Sequence, residues 1–154
     1  MGSVEERLAE LGYRLPAVGA PMAQYLPAKK VGRMIYVSGQ GPYLDGKPEV
    51  VGQVGGAVTP AEARRAARLA ALNGLAAVRQ LTGSLDVISQ VVHIRGFVNS
   101  VPGFTEQPAV IDGASELLVD VFGERGRHAR AALGTSSLPG NLPVEIEMIF
   151  KAID

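Results

Sequence analysis

The stretch Gly126–Phe150, GRHARAALGTSSLPGNLPVEIEMIF, decides the fold of this chain, because two strand patterns flank a turn within it. The turn is Leu138-Pro139-Gly140-Asn141, whose proline and glycine are typical of a tight reversal. After it the residues alternate, with one face made of Val144, Ile146, Met148 and Phe150 and the other of Glu145, Glu147 and Lys151. This alternation predicts a strand that separates an apolar core from something polar. Arg130, at the start of the first strand, carries a planar guanidinium that can pair with the carboxylate of a glutamate or of a ligand.

Composition places the chain among globular proteins and excludes several kinds of site. Its 154 residues suit one domain, residues 1–154, and 47% of them are apolar. The charges cancel to a net charge of zero, which argues against nucleic acid or a membrane as a partner. The chain has no cysteine and only two histidines, so we expect no disulfide, no thiolate nucleophile and no metal. Its charged, amphipathic first residues and its lack of a long apolar run predict a cytoplasmic protein.

Three helices and several strands are predicted from periodicity and capping signals. A short helix is predicted from Val4 to Leu11, and a longer one begins at Thr59-Pro60-Ala61-Glu62 and ends near Gln80. The third helix follows the apolar residues from Val110 to Val121 and ends at Gly123. Further strands are predicted at Met34–Ser38, 50–54 and Val91–Asn99, while residues 13–30 receive no regular assignment.

This order of elements predicts an α+β fold with a single sheet and two main helices on one face. In the second helix the predicted sheet-facing residues are small, and they are Ala63, Ala67, Ala70, Ala71, Gly74, Leu75 and Val78. Arg65, Arg68 and Arg79 lie on the opposite face of that helix. Helices on one face leave the other sheet face uncovered, which points to oligomerisation.

Four motifs, in this order along the chain, resemble the RidA/YjgF family. They are Tyr36-Val-Ser-Gly-Gln-Gly-Pro42, the helix entered through Thr59-Pro60-Ala-Glu, Arg130 followed by Leu138-Pro139, and Val144-Glu-Ile-Glu147. The resemblance spans about Ala23 to Ala152, and the extra N-terminal helix and the long connection 99–108 look like a longer branch of the family. It implies a chorismate-mutase-like mixed sheet, a homotrimer with ligand clefts between subunits, and hydrolysis of 2-imino acids to 2-oxo acids and ammonia without a cofactor.

The resemblance also implies roles for individual residues. Arg130 matches the family arginine that holds the substrate carboxylate, and Glu145 matches the glutamate that positions or activates the attacking water. Tyr25 and Ser38 fall where the family has hydroxyl groups lining the cleft, and Ala132 falls at a substrate-binding position.

The chain departs from the family pattern at several of these positions. Ala131 and Ala132 follow Arg130, where deaminating members have a hydroxyl residue and then a cysteine or another small polar residue. Ala23-Gln24-Tyr25 replaces the tight Gly-Pro-Tyr turn before the first strand. Ser115 stands near the place of an asparagine expected in the last helix. These departures indicate either weak imino-acid hydrolysis or a larger, less polar substrate.

Simpler interpretations stay open for the same residues. Arg130 could form a salt bridge with Glu145 or Glu147 at an interface, and Glu145 could be a solvated strand residue. His128 reads as a surface residue, and His93 as a satisfied interior or interface residue.

Two other functions compete with imino-acid hydrolysis. One is a non-catalytic module in which Arg130 binds a small carboxylate, a hypothesis that the two alanines favour. The other is an endoribonuclease, a label attached to some relatives, which zero net charge and few aromatic residues weaken.

Overall fold

The computed structural model describes residues 2–19 and 23–154 of the chain. Residues 20–22, within the stretch that received no assignment from the sequence, lie outside this description. The helices are α1 (Val4–Glu10), α2 (Pro60–Thr82) and α3 (Gln107–Phe122). The strands are β1 (Ala28–Val31), β2 (Met34–Gln40), β3 (Tyr43–Leu44), β4 (Lys47–Pro48), β5 (Ile88–Asn99), β6 (Ala129–Thr135) and β7 (Val144–Ala152).

Five strands form one mixed sheet in the order β1-β2-β7-β5-β6. All neighbours are antiparallel except β5 and β6, which are parallel because α3 connects them as a crossover. Strands β3 and β4 form a separate hairpin around the Leu44–Lys47 turn. The predicted α+β class, with one main sheet, two main helices and a short N-terminal helix, is confirmed.

The helix boundaries follow from their caps. The Ser3 hydroxyl accepts a hydrogen bond from the Glu6 backbone N–H, and the Glu6 carboxylate accepts one from the Ser3 backbone N–H, so α1 begins with a capping box. Thr59 caps α2 in the predicted place, and Pro60 occupies its first turn. This helix continues to Thr82, two residues beyond the prediction, because the left-handed glycine that ends it is Gly83.

Strand β7 carries the apolar and acidic faces that its alternation predicts. Val144, Ile146, Met148 and Phe150 are buried beneath the helices. Glu145, Glu147 and Lys151 are half-buried on the opposite face. This strand lies between β2 and β5, so its apolar face is at the centre of the buried side of the sheet and its acidic face is at the centre of the other side.

The predicted strands on either side of the Leu138–Asn141 turn are β6 and β7, and β5 lies between them in the sheet. The prediction of a strand at 50–54 was wrong. The predicted strand at 50–54 is irregular, with only Val54 in isolated bridges to Val58 and Ser100. Gly52 and Gly55 have positive φ angles of 126° and 91°, which interrupt an extended strand.

Helix α2 is more enclosed than its pattern suggests. All seven predicted inward residues are buried, but burial is continuous around the helix from Leu69 to Val78. The chain after α1 supplies the outer cover, with Leu11, Tyr13 and Leu15 packed against the core. The guanidinium of Arg68 lies 5.7 Å from the centre of the Tyr13 ring.

The second face of the sheet has no helix over it among the described residues. Exposed apolar side chains on this face include Tyr36 at 48%, Val31 at 58% and Leu133 at 47%. Tyr36 follows the buried Ile35 in β2, and Leu133 pairs with Phe97, which precedes the buried Val98 in β5. No helix within residues 2–19 and 23–154 is long and apolar enough to cross a membrane.

Candidate functional site

Arg130 points to the helix-covered face of the sheet from the edge strand β6. It pairs in the register with Ile94, which is fully buried under α3. One terminal nitrogen, Nη1, donates to Asp112 Oδ1 at 2.8 Å and to Ser115 Oγ at 3.1 Å, and Nη2 donates to the Pro108 carbonyl at 3.2 Å. The side chain is therefore held by the first turns of α3, with 24% of its surface exposed.

His128 extends this network. Its Nδ1 lies 2.6 Å from the Gly126 carbonyl, which can only accept, so Nδ1 carries the proton. Its Nε2 lies 2.9 Å from the Ser115 hydroxyl and can accept a hydrogen bond from it when the ring is neutral. Burial is the main cause that lowers the pKa of His128; the hydrogen bond to the Gly126 carbonyl opposes it in part, and the charges of Arg130 and His93 lower the pKa further. The neutral ring is thus the favoured form.

Glu145 lies on the uncovered face of the sheet, opposite Phe97 of β5. Its carboxylate rests against Gly39 of β2, where a Cβ atom would come within 2.7 Å of Oε2. Burial, and then the neighbouring Glu147, raise the pKa of Glu145. Glu147 itself pairs with Arg95 at 3.8 Å.

Ser38 lies near Glu145, and Tyr25 lies in the segment that precedes β1. The Ser38 hydroxyl donates to the Leu26 carbonyl at 2.7 Å, and its backbone N–H donates to the Pro27 carbonyl at 2.9 Å. These bonds fix the segment that follows Tyr25 against β2, while the Tyr25 side chain stays 56% exposed. Ser38 precedes Gly39, so its hydroxyl group lies on the part of β2 that the Glu145 carboxylate contacts.

The predicted site residues therefore form two groups within one chain. We call Arg130 and Ala132, on the helix-covered side of β6, the arginine half-site. We call Tyr25, Ser38 and Glu145 the glutamate half-site. Strands β7 and β6 are two positions apart in the sheet, about 10 Å, and the half-sites use opposite faces. A single chain does not bring Arg130 and Glu145 together.

The structure identifies residues of the arginine half-site that the sequence interpretation missed. Asp112 was not singled out, and it is the ion-pair partner of Arg130; neither Glu145 nor Glu147 fills that role within the chain. His128 was interpreted as a surface residue but is half-buried in the network. The spacing of Asp112 and Ser115, three residues apart on one helix face, was the available signal.

Other features of the described residues lie apart from this chemistry. A surface cavity of about 470 Å³ lies between residues 14–18 and the end of α2, and none of the predicted site residues lines it. Among residues 2–19 and 23–154, no three His, Asp or Glu side chains are grouped so that they could hold a metal ion.

Comparisons with known proteins find relatives that match almost the whole chain. A family model described as "YjgF/chorismate_mutase-like, putative endoribonuclease" matches residues 5–150. Protein TCP17 of Trypanosoma cruzi is 42% identical over 97% of this chain and 94% of its own length.

Two solved structures are similar over almost the whole chain. Atu1372 from Agrobacterium tumefaciens, a protein of unknown function, is 50% identical with a TM-score of 0.90, over 97% of this chain and 92% of that one. A Shewanella oneidensis protein with a provisional endoribonuclease label is 37% identical with a TM-score of 0.93, over 97% of this chain and 99% of that one.

Proposed function

We propose that this chain, which belongs to the YjgF/chorismate-mutase-like family, hydrolyses small reactive 2-imino or enamine acids to 2-oxo acids and ammonia. The family match confirms the resemblance identified in the sequence. The observation that carries the proposed activity is the arginine half-site. Its guanidinium makes three hydrogen bonds with residues of α3 and has two further N–H donors. Such a group binds a carboxylate in a defined orientation.

The proposed reaction places the carboxylate of a 2-imino acid on Arg130. Glu145 accepts a proton from water while the water oxygen bonds to the imino carbon. Addition to the protonated imine gives a neutral carbinolamine, and the proton held by Glu145 then passes to its nitrogen. The carbon–nitrogen bond breaks, the hydroxyl group gives its proton to Glu145 as the C=O bond forms, and a 2-oxo acid and ammonia leave. A raised pKa makes the Glu145 carboxylate a stronger base toward this proton. Most of the acceleration comes from holding water and imine together, because imines already hydrolyse in water.

The proposed catalyst is a homotrimer with clefts between its subunits. One chain separates Arg130 from Glu145, so a cleft that uses both needs the arginine half-site of one subunit and the glutamate half-site of another. The exposed apolar side chains of the uncovered sheet face support such an assembly, since burying them removes apolar surface from water.

The first experiment measures the decay of 2-iminopropanoate, produced in situ by an amino-acid oxidase. Wild-type protein is expected to accelerate the decay and Arg130→Ala is not, with the assembly unchanged in size. Acceleration by both proteins would remove Arg130 from the site. Acceleration by neither would exclude this substrate.

A mixing experiment tests whether the site is shared between subunits. Arg130→Ala and Glu145→Gln are each expected to be inactive. When the two are unfolded together and reassembled in equal amounts, about a quarter of wild-type activity should return, because each mixed ring contains one cleft with both halves intact. No recovery, with mixed assemblies demonstrated by a mass tag, would show that one chain supplies the whole site.

A binding module without turnover is the second candidate function. The arginine half-site is complete without Glu145, and Ala132 beside it offers no hydroxyl or thiol. Saturable binding of 2-oxobutanoate that Arg130→Ala abolishes, without acceleration of imine decay, would favour this function. Binding of RNA in gel shifts at low salt would instead favour the endoribonuclease label.

A further inference from the structure

Arg130 has five N–H donors, and its contacts with α3 account for three of them. Nη1 donates twice, to Asp112 and Ser115, and Nη2 donates once, to the Pro108 carbonyl. The donors that remain are Nε–H and one proton of Nη2. Nε and Nη2 lie on one edge of the guanidinium plane, and this edge can bind a carboxylate side-on with two parallel donors when the Pro108 carbonyl takes the Nη2 proton that faces Nη1.

We propose that Asp112 and the Ser115–His128 pair are positioning residues, which orient Arg130 so that its Nε–Nη2 edge is the edge that receives the ligand carboxylate. This inference rests on the proposed function, since it assigns the ligand to Arg130. Asp112 and Ser115 occupy the other terminal nitrogen, so a ligand cannot bind end-on between Nη1 and Nη2. The ligand class that fits is a small 2-imino or 2-oxo acid with a single carboxylate in the plane of this edge.

His128 determines the direction of the Ser115 hydroxyl. Because the Gly126 carbonyl holds the Nδ1 proton, the unprotonated Nε2 accepts the Ser115 hydrogen. The Ser115 oxygen then presents its lone pairs to Arg130 Nη1 at 3.1 Å. The chain His128–Ser115–Arg130 thus has one consistent arrangement of donors and acceptors.

An opposite role for Asp112 makes the inference testable. Asp112 is an anion beside Arg130, and an anion could compete with the ligand carboxylate for the guanidinium. Competition predicts that removing Asp112 tightens ligand binding. Positioning predicts that removing it weakens binding, because the guanidinium is then mobile and must be ordered by the ligand.

The experiment compares Asp112→Ala, Asp112→Asn and Ser115→Ala in the assembled protein, with 2-oxobutanoate as the binding probe and 2-iminopropanoate as the substrate. Asp112→Ala and Ser115→Ala are expected to weaken binding and raise KM by about tenfold, because each frees a rotamer-rich side chain. The value of kcat should stay close to wild type, since the clamp acts on the ground state and the transition state alike. Asp112→Asn retains an acceptor for Nη1 and should stay close to wild type in both measurements.

Glu116→Gln is the matched control. Glu116 lies on the same helix and pairs with Arg64, so its substitution removes one carboxylate from α3 without touching Arg130. It should leave KM and kcat unchanged. A comparable loss in this control would assign the effects to α3 as a whole and overturn the inference.

The remaining outcomes separate this inference from the proposed function. Unchanged binding by Arg130→Ala would overturn the proposed role of Arg130 in binding the carboxylate, and the inference with it. Loss of binding in Arg130→Ala together with tighter or unchanged binding in Asp112→Ala and Ser115→Ala would overturn the inference alone. If Asp112→Ala fails to assemble, Ser115→Ala decides on its own.

Discussion

At the scale of single residues, a glycine provides the space that the Glu145 carboxylate occupies. Gly39 lies where the pairing of β2 with β7 shifts register, between Val37 and Gln40. A Cβ atom at this position would lie 2.7 Å from Oε2 and 2.8 Å from Cδ of Glu145. Gly39 does not have a positive φ angle, so space and not backbone conformation makes this position restrictive.

Gly39→Ala is therefore expected to displace the Glu145 carboxylate while leaving the fold intact. We expect kcat for imine hydrolysis to fall by about tenfold or more, because a small misplacement of the base slows proton transfer from water. Binding of 2-oxobutanoate at Arg130 should change little. Gly56→Ala serves as the control, because Gly56 lies away from both half-sites and, unlike Gly46 with its φ of 83°, has no positive φ angle.

Glu145 is expected to lower stability above its own pKa. Burial raises its pKa in the folded protein above the ordinary glutamate value that the unfolded chain keeps. The folded protein then binds the proton more readily, so the ionised carboxylate costs stability above the folded pKa. That cost disappears as the pH falls through the folded pKa toward the unfolded value.

Glu145→Gln cannot ionise and should raise the free energy of unfolding at about pH 8, with a smaller difference at about pH 4. Urea unfolding across this range measures the effect, and imine hydrolysis should be lost in the same variant. Glu124→Gln, whose side chain is 90% exposed, should show no such change. A less stable Glu145→Gln at the higher pH would contradict the expectation.

At the scale of elements, the crossing of α2 and α3 depends on a glycine in α3. A Cβ atom on Gly113 would collide with the backbone carbonyl of Arg64 in α2. Arg64 also donates to the Ala109 carbonyl at 3.4 Å, so the two helices are joined at the same point. This crossing sets the position of the first turns of α3, which hold Arg130.

Gly113→Ala should destabilise the protein by about 2 kcal/mol, because backbone atoms must separate to admit the methyl group. A loss of stability in this variant is informative, because alanine normally stabilises a helix by about 1 kcal/mol relative to glycine. Gly74→Ala in α2 collides with the end of the Met148 side chain and with no backbone atom, so it should cost less. Thermal or urea unfolding ranks the two variants, and equal or reversed costs would contradict the backbone argument.

At the scale of the whole molecule, the uncovered sheet face is the surface that an assembly would bury. Tyr36, near the centre of β2, pairs in the register with Lys29 and Ile149, and 48% of its surface is exposed. Its ring stands on the same face as Glu145. Assembly and the glutamate half-site are therefore linked through one surface of the sheet.

Tyr36→Asp is expected to dissociate the proposed trimer, because it places a charge in an interface that excludes water. Sedimentation or light scattering should then give the mass of one chain, with the circular dichroism of a folded protein. Leu44→Asp, at an exposed position in the β3–β4 hairpin, should leave the assembly intact. A wild-type protein that is monomeric at working concentrations would refute the proposed assembly directly.

The sequence by itself determined the three helices, the strands β2, β5, β6 and β7, and the face that each of them presents, but not β1 or the irregular segment 50–54. Capping residues such as Thr59 and Gly83 act within a few positions, and the alternation in β7 is a local property, so both could be predicted. The tertiary structure alone decided that β5 separates β6 from β7 and that Asp112 holds Arg130 on the face opposite Glu145. These outcomes depend on contacts between residues far apart in the chain, such as those made by the crossover helix α3 and by α2 where it packs on the sheet. No local pattern records such contacts, because many strand orders bury the same apolar faces.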